Sequence, residues 1–212
     1  MTTAVLFDLD GTLLDSVDAL VKSWIKVGEK LKVNIDPNLV REFIGASREV
    51  ITTHILRRND LIKKFSEIFP YEYNKIWRSE VKPYPETHTV LKTLRKMNVK
   101  TAIVSSNFKD MLECILEYFN FMPLIDAFVS NDDVEKGKPE PHMALEAIKR
   151  LGVRADECFV AGDTLFDVEM GKRAGAHAIL VVRKPVSLAG SKYLPDYVIS
   201  SLLDITSIVK NL

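Results

Sequence analysis

Two aspartates near the N-terminus, Asp8 and Asp10, carry the side chains best suited to chemistry. They directly follow the apolar run at residues 4–7 and precede Gly11. Residues two apart on a strand lean to the same side, so the two carboxylates are expected to lie close together. Such a pair of charges needs a cation beside it, or one carboxyl must hold a proton. A divalent cation and a phosphoryl group would meet that need; the structural alternative is an Asp-rich turn completed by a glycine.

More polar side chains follow other short apolar runs of the chain. They come after residues 101–104, beyond residues 127–129 and after residues 158–161, and they are Ser105, Ser106, Asn107, Lys138, Asp163 and Asp167. Ligands of open parallel sheets bind at the carboxyl ends of the strands, so these residues are predicted to meet in one site. Each also has a structural explanation, since serines and aspartates favour helix N-termini and most lysines are solvated. Their agreement favours the functional interpretation.

The apolar runs predict the strands that would position these side chains. Helical stripes lie between them, for example over residues 90–97 and 144–151. Strands that are apolar throughout and alternate with helices indicate an α/β fold, with a mainly parallel sheet covered on both faces. Later in the chain we expect another strand, an edge strand and a last helix, over residues 178–182, 197–199 and 202–212.

Residues 16–81 break this alternation. They contain helical stripes and no convincing strand, and Phe69-Pro70 is expected to form a turn. The aromatic residues spaced four apart in this stretch predict an apolar core rather than a ligand-binding cluster, and they are Phe65, Phe69, Tyr73 and Trp77. The pattern therefore predicts an all-helical insert directly after the first strand.

Composition limits the possible partners. The chain has 212 residues, with 29 basic and 29 acidic side chains, so its formal net charge is zero. This balance does not favour nucleic acid or an anionic membrane surface as a partner. No apolar segment approaches the length of a membrane span, and the two cysteines form no CxxC. We expect a soluble cytoplasmic protein, either a monomer or a homodimer.

Taken in order, these residues resemble the haloacid dehalogenase (HAD) superfamily, in its phosphatase branch with a helical C1-type cap. The family's four motifs correspond to Asp8-Leu9-Asp10-Gly11-Thr12, Ser105, Lys138 and the stretch at residues 162–167. The phosphoglycolate phosphatase-like members are the most similar. The resemblance implies a three-layer Rossmann-like core of residues 1–15 and 82–212, with residues 16–81 as a small all-α cap domain.

The resemblance also implies a reaction, which is the Mg²⁺-dependent hydrolysis of a small-molecule phosphate monoester. Asp8 would attack phosphorus and form an aspartyl-phosphate, and Asp10 would act as general acid and then as general base. Mg²⁺ would be held by the Asp8 side chain, the Asp10 backbone carbonyl and Asp163. Asp167 would support the metal site from a second layer or through water.

Phosphate oxygens would be bound by a further group of residues, namely Gly11, Thr12, Ser105, Ser106, Asn107 and Lys138. The Gly11 and Thr12 contributions would come from backbone N–H groups. In the cap, Gly45 and Arg48 are the candidates for reading the rest of the substrate. For Arg48 an ordinary surface position is the alternative. Relatives commonly have glycine where this chain has Glu86, which affects the expected hinge near residues 82–85.

Other activities share parts of this pattern. A phosphosugar mutase of the same family keeps the same motifs and differs in returning the phosphoryl group to a second hydroxyl. A dehalogenase does not need the acid at Asp10, and a phosphonate-cleaving relative would need a cap lysine such as Lys22, Lys26 or Lys30. A regulatory or binding module phosphorylated on Asp8 would need neither the cap nor Asp10.

Overall fold

A computed structural model describes residues 3–183 and 187–211. Six of its strands form one sheet in the order β5-β4-β1-β6-β7-β8, and every pairing in it is parallel. Two further short strands, β2 and β3, pair antiparallel. The strands are β1 (Ala4–Phe7), β2 (Leu14–Asp15), β3 (Lys82–Pro83), β4 (Lys100–Ser105), β5 (Ala127–Ser130), β6 (Cys158–Gly162), β7 (His177–Val181) and β8 (Tyr197–Ile199). The predicted strands are confirmed, and β8 is at the sheet edge as expected.

The α-helices of the described residues are α1 (Val17–Leu31), α2 (Pro37–Phe43), α3 (Arg48–Leu56), α4 (Asn59–Asn74), α5 (Trp77–Glu80), α6 (Thr87–Lys96), α7 (Lys109–Tyr118), α8 (His142–Leu151), α9 (Leu165–Arg173) and α10 (Ile205–Ile208). Helices that follow β3 cover both faces of the sheet. Strand β1 is buried on both faces: Val5 and Phe7 pack in the cluster that contains α6 and α7, while Leu6 packs with α8 and α9. The result is the expected three-layer α/β arrangement with a Rossmann-like sheet.

Helices α1 to α5 all lie between β2 and β3. The register Leu14↔Pro83 and Asp15↔Lys82 holds the chain's exit from this helical segment beside its entry. Every helix in the described residues is too short or too polar to span a lipid bilayer.

Two sequence-based expectations about local structure are wrong. Phe69-Pro70 does not form a turn, because α4 runs through Pro70. Burial of Phe65, Phe69 and Tyr73 along one side of α4 outweighs the loss of one helical hydrogen bond at the proline.

The last helix, expected over residues 202–212, is also shorter than predicted. Only Ile205–Ile208 is α-helical, and 3-10 turns flank it at Leu202–Asp204 and Val209–Asn211. The segment is rich in β-branched residues, which have reduced helix propensity. Leu212 lies outside the described residues.

Candidate active site

The carboxyl ends of β1, β4 and β6 bring the predicted residues to one edge of the sheet. Asp8 follows β1, Ser105 ends β4, and Asp163 follows β6. Lys138 reaches the same place from the loop beyond β5, and its side chain is fully buried. Because parallel strands all point the same way, residues more than 100 positions apart meet here.

Three carboxylates form the centre of the site. Asp8, Asp163 and Asp167 each offer an oxygen, and these oxygens lie within 4.8 Å of one another. Lys138 Nζ lies 2.5 Å from Asp8 Oδ1 and 2.7 Å from Asp167 Oδ1. One ammonium among three carboxylates leaves an excess of negative charge whenever the acids are ionised.

The pKa values of these groups reflect that crowding. Burial raises the pKa of Asp8 well above its usual value and the charge of Asp167 adds to the rise, although Lys138 opposes it. Burial, and then the charge of Asp167, raise the pKa of Asp163 to about 7. Burial disfavours the charged form of Lys138, but Asp167 and Asp8 outweigh this effect and raise its pKa. The lysine is therefore held as a cation, and its single positive charge compensates only part of the charge of the three carboxylates.

Asp10 is separated from this cluster by its hydrogen bonds. Its Oδ1 accepts from Ser16 Oγ at 2.6 Å, and its Oδ2 accepts from Asn107 Nδ2 at 2.7 Å. Burial raises the pKa of Asp10, and the bond from Ser16 opposes that rise. The two aspartates of the opening motif thus sit in different environments, one beside a lysine and one held by neutral donors.

Gly11 and Thr12 shape the metal-facing side of the loop after β1. Gly11 has φ +88°, and a Cβ there would lie 2.4 Å from Asp163 Oδ2, so only glycine fits. The Gly11 N–H donates to the Leu14 carbonyl at 2.8 Å, so the expected donation from Gly11 to phosphate has no support in this structure. The Thr12 hydroxyl donates to Asp163 Oδ1 at 3.0 Å and so orients that carboxylate.

Asp167 is positioned by the start of α9. Its Oδ2 accepts from the Thr164 N–H at 3.2 Å, and its own N–H donates to the Thr164 hydroxyl oxygen at 3.4 Å, which together make a capping box. The Thr164 hydroxyl also donates to Asp167 Oδ2 at 2.6 Å. The other carboxylate oxygen of Asp167 faces Lys138. The spacing of threonine and aspartate three residues apart is a sequence signal for this cap, which sequence reasoning did not use.

The polar residues at the end of β4 and just after it form hydrogen bonds with different parts of the protein. Ser105 is buried and its hydroxyl oxygen accepts from the Asn107 N–H at 3.2 Å. Ser106 donates through its hydroxyl to the Gly45 carbonyl at 3.3 Å. The Asn107 side-chain amide is bound to Asp10, so its position in the structure supports orientation of that acid.

The loop at residues 43–48 of the helical segment lies directly over these residues. Gly45 has φ +101°, and a Cβ there would lie 2.7 Å from the Thr164 side chain. The Ser47 N–H donates to the Lys138 carbonyl at 2.9 Å. Arg48 forms an ion pair with Asp132. Both predicted cap residues, Gly45 and Arg48, are therefore placed at the site, and Arg48 is not a free surface residue.

A cavity between this segment and the sheet opens onto Asp8 and Asp10. Most of its wall is apolar. The hydrophobic side chains come from α1, α3, α4 and the loop at residues 43–48, with one more from the residue before α7; they are Leu20, Trp24, Ile44, Ala46, Ile51, Phe65, Phe69 and Phe108. The remaining lining groups are Gly45, Arg48, Thr52, Ser66, Ser106 and Asn107. A substrate in this cavity would reach the two catalytic candidates while being shielded from water.

The family model for haloacid dehalogenase-like hydrolases matches residues 5–181, which spans the strands and loops that build this site. The chain belongs to the haloacid dehalogenase-like hydrolase family. The resemblance inferred from the motifs is thereby confirmed.

Individual relatives of this hydrolase agree in length and fold. A phosphoglycolate phosphatase from Aquifex aeolicus is 29% identical over 208 residues, covering 98% of this chain and 96% of the relative. A pyrophosphatase (PpaX) from Halalkalibacterium halodurans is 29% identical over 219 residues, covering 97% and 95%. The crystal structure of a hydrolase from Pseudomonas syringae superposes with a TM-score of 0.88 at 26% identity, covering 100% and 99%. The expectation of an enzyme of the phosphatase type is confirmed.

The acidic cluster of this hydrolase fits a divalent metal ion. Asp8 Oδ2 is buried and, within residues 3–183 and 187–211, has no hydrogen-bond partner. Hard divalent cations prefer carboxylate oxygens, and three of these converge here with one oxygen still unpaired. Asp8 and Asp163 are the side chains that would hold the ion directly, and Asp167, whose oxygens contact Thr164 and Lys138, would support the site from behind them.

Sequence reasoning about this hydrolase missed the network around Arg183. Its guanidinium donates to Glu86 Oε1 at 2.7 Å and to the Thr12 carbonyl at 3.1 Å, and it stacks over the Tyr84 ring at 3.8 Å. Through Arg183, Glu86 therefore ties the end of the helical segment to the loop that follows β1. A lone arginine far along the chain gives no sequence signal of this contact.

Proposed function

We propose that the protein is a Mg²⁺-dependent phosphatase that hydrolyses a small-molecule phosphate monoester through an aspartyl-phosphate on Asp8. The observation that carries the proposal is that the two aspartates have different hydrogen-bond and charge partners. Asp8 lies in the acidic cluster beside Lys138, with one oxygen unpaired among the described residues. Asp10 faces the same cavity but is held by Ser16 and Asn107.

Asp8 acts as the nucleophile. Its carboxylate attacks phosphorus, while Lys138 lies beside it and offsets the charge that accumulates between the carboxylate and the phosphoryl oxygens. Mg²⁺, when bound, would supply positive charge that screens the repulsion between Asp8 and the phosphoryl group. Asp8, Asp163 and the Asp10 carbonyl would hold the ion, and Asp167 would support the site while pairing with Lys138.

Asp10 moves the proton. A raised pKa keeps a proton available on its carboxyl for the leaving alkoxide, and the resulting carboxylate then takes a proton from the attacking water. The bonds from Ser16 and Asn107 keep its orientation the same in both steps. Attack of water on phosphorus breaks the bond between phosphorus and the Asp8 oxygen, which returns Asp8 as a carboxylate and releases inorganic phosphate.

Phosphate oxygens are bound by Ser105, Lys138 and the Thr12 N–H, with Ser106 and Asn107 at the same edge. The helical segment at residues 16–81 acts as the cap domain over a catalytic core of residues 1–15 and 82–212. The β2–β3 pair supports this division, because it closes the segment at its base. The loop at residues 43–48 then shields the bound substrate from water.

Replacing Asp8 with asparagine tests the proposal. Asp8→Asn removes the nucleophile, so phosphate release from an aryl phosphate with Mg²⁺ should fall by about a thousandfold or more. EDTA should abolish wild-type activity and added Mg²⁺ should restore it. The matched control is Asp110→Asn, which changes an exposed aspartate and should leave the rate unchanged.

Undiminished activity in Asp8→Asn would show that another group attacks phosphorus. Formation of an isomeric phosphate ester without release of inorganic phosphate, measured by product analysis, would instead support the mutase alternative. A stable phosphoprotein without turnover would support the regulatory module.

A further inference from the structure

The cavity above Asp8 and Asp10 has an aromatic wall. Trp24 and Phe65 pack with their ring centroids 4.0 Å apart, and Phe65 and Phe69 with theirs 5.4 Å apart. All three side chains line the cavity and all are buried. The part of a substrate beyond its phosphate would therefore contact apolar side chains over much of its surface.

The polar side chains of the cavity are largely committed to the protein itself. Thr52 donates its hydroxyl to the Arg48 carbonyl one turn earlier at 2.5 Å. Ser106 donates to a carbonyl of the covering loop, and Asn107 donates to Asp10. These bonds leave few side-chain hydrogen-bond donors available to a bound ligand.

Arg48 is the single cationic side chain in the lining of this cavity within residues 3–183 and 187–211. It is paired with Asp132, and its guanidinium lies 3.7 Å from the centre of the Phe108 ring. This double contact places the guanidinium beside an opposite charge and against an aromatic ring. A second anionic group on the substrate would therefore find no free cation in the lining.

We infer that the leaving group of the substrate is an uncharged, largely apolar alcohol. The inference rests on the proposed phosphatase function and concerns the part of the substrate that the cap covers. A carboxylate or a second phosphate in this cavity would lose its hydration next to Asp8 and Asp10 and gain no opposite charge. The anionic leaving groups of phosphoglycolate and pyrophosphate are thus poorly suited to this chain.

Pairs of substrates that differ only in charge test the inference. The first pair is 2-phosphoglycolate and its neutral amide, and the second is 4-carboxyphenyl phosphate and 4-carbamoylphenyl phosphate. In each pair kcat/KM should favour the amide by about tenfold or more, because the buried carboxylate is left unpaired. Equal or higher kcat/KM for the carboxylates would overturn the inference.

Variants locate the effect in the cap. Ser66 lines the cavity and is partly exposed, so Ser66→Lys adds a cation there and should reduce the preference for the amides by about tenfold, while the neutral Ser66→Gln should not. Arg48→Gln should leave the ratio unchanged, since Asp132 already holds that charge. A selective loss of carboxylate turnover in Arg48→Gln would overturn the inference by showing that Arg48 reads the substrate.

The failure of this inference can be told apart from the failure of the proposed function. If carboxylates are preferred and Asp8→Asn abolishes turnover, only the substrate class is wrong. If wild type and Asp8→Asn act equally on every compound, the phosphatase mechanism is wrong and the inference falls with it.

Discussion

Lys138 is the only cation in contact with two buried carboxylates in the described part of the chain, so its removal is a sensitive probe of the site. Its side chain is 0% exposed, and the side chains of its partners Asp8 and Asp167 are 5% and 1% exposed. Lys138→Met keeps most of the apolar stem and deletes the charge. The acids are then left in a buried place with no cation beside them.

The expected loss follows from the two ion pairs at 2.5 Å and 2.7 Å. Removing one partner of a buried pair typically lowers the free energy of unfolding by about 3–5 kcal/mol, because the remaining charge stays desolvated. Protonation of one carboxyl limits the loss to this range. Neutralising Asp167 in the same chain should recover part of it, so the double variant Lys138→Met/Asp167→Asn should be more stable than Lys138→Met.

Urea denaturation in EDTA measures these free energies without a metal. The matched control is Lys136→Met, two residues away on the same loop and exposed, which should change the free energy of unfolding by less than about 0.5 kcal/mol. Mg²⁺ should stabilise Lys138→Met more than wild type, since the ion supplies positive charge to the same cluster. A loss of less than about 1 kcal/mol in Lys138→Met would refute the ion-pair geometry.

Two further predictions concern the surroundings of the site. Glu86→Gly deletes the acceptor of Arg183 and should lower the free energy of unfolding by about 1.5–3 kcal/mol in urea, while Glu86→Gln should lose less; equal losses would mean that the charge is irrelevant. Tyr73→Phe removes a fully buried hydroxyl that has no hydrogen-bond partner among the described residues, so stability should be unchanged or rise by about 1 kcal/mol. A thermal shift showing clear destabilisation by Tyr73→Phe would reveal a partner for that hydroxyl.

The sheet could be predicted because its strands are buried on both faces and therefore apolar throughout. Residues 4–7 and 158–161 are uninterrupted hydrophobic runs, and only the ends of the strands differ from the expectation, by a residue or so. The helix through Pro70 could not be predicted, because local rules assign a break to proline. Only the packing of the α4 aromatics against α1 compensates for that break.

The site could be predicted as a set of residues but less well as a set of contacts. Asp8, Lys138, Asp163 and Asp167 converge as the order of strands required. The donation of the Gly11 amide to Leu14 was not foreseen, because it depends on how one loop closes. The direct pairing of Asp167 with Lys138 likewise depends on where two distant loops meet.

The sequence by itself determined which chemical groups the protein carries to the sheet edge, because side-chain identity and the apolar runs that form the strands are local properties of the chain. It could not assign the partners of those groups. That Asp10 rests on Ser16 and Asn107, and that Arg48 is held by Asp132, was decided by the tertiary structure. A hydrogen bond or ion pair forms only when its two groups are placed to within a few tenths of an ångström. Where those groups lie on loops far apart in sequence, only the packed fold sets their separation.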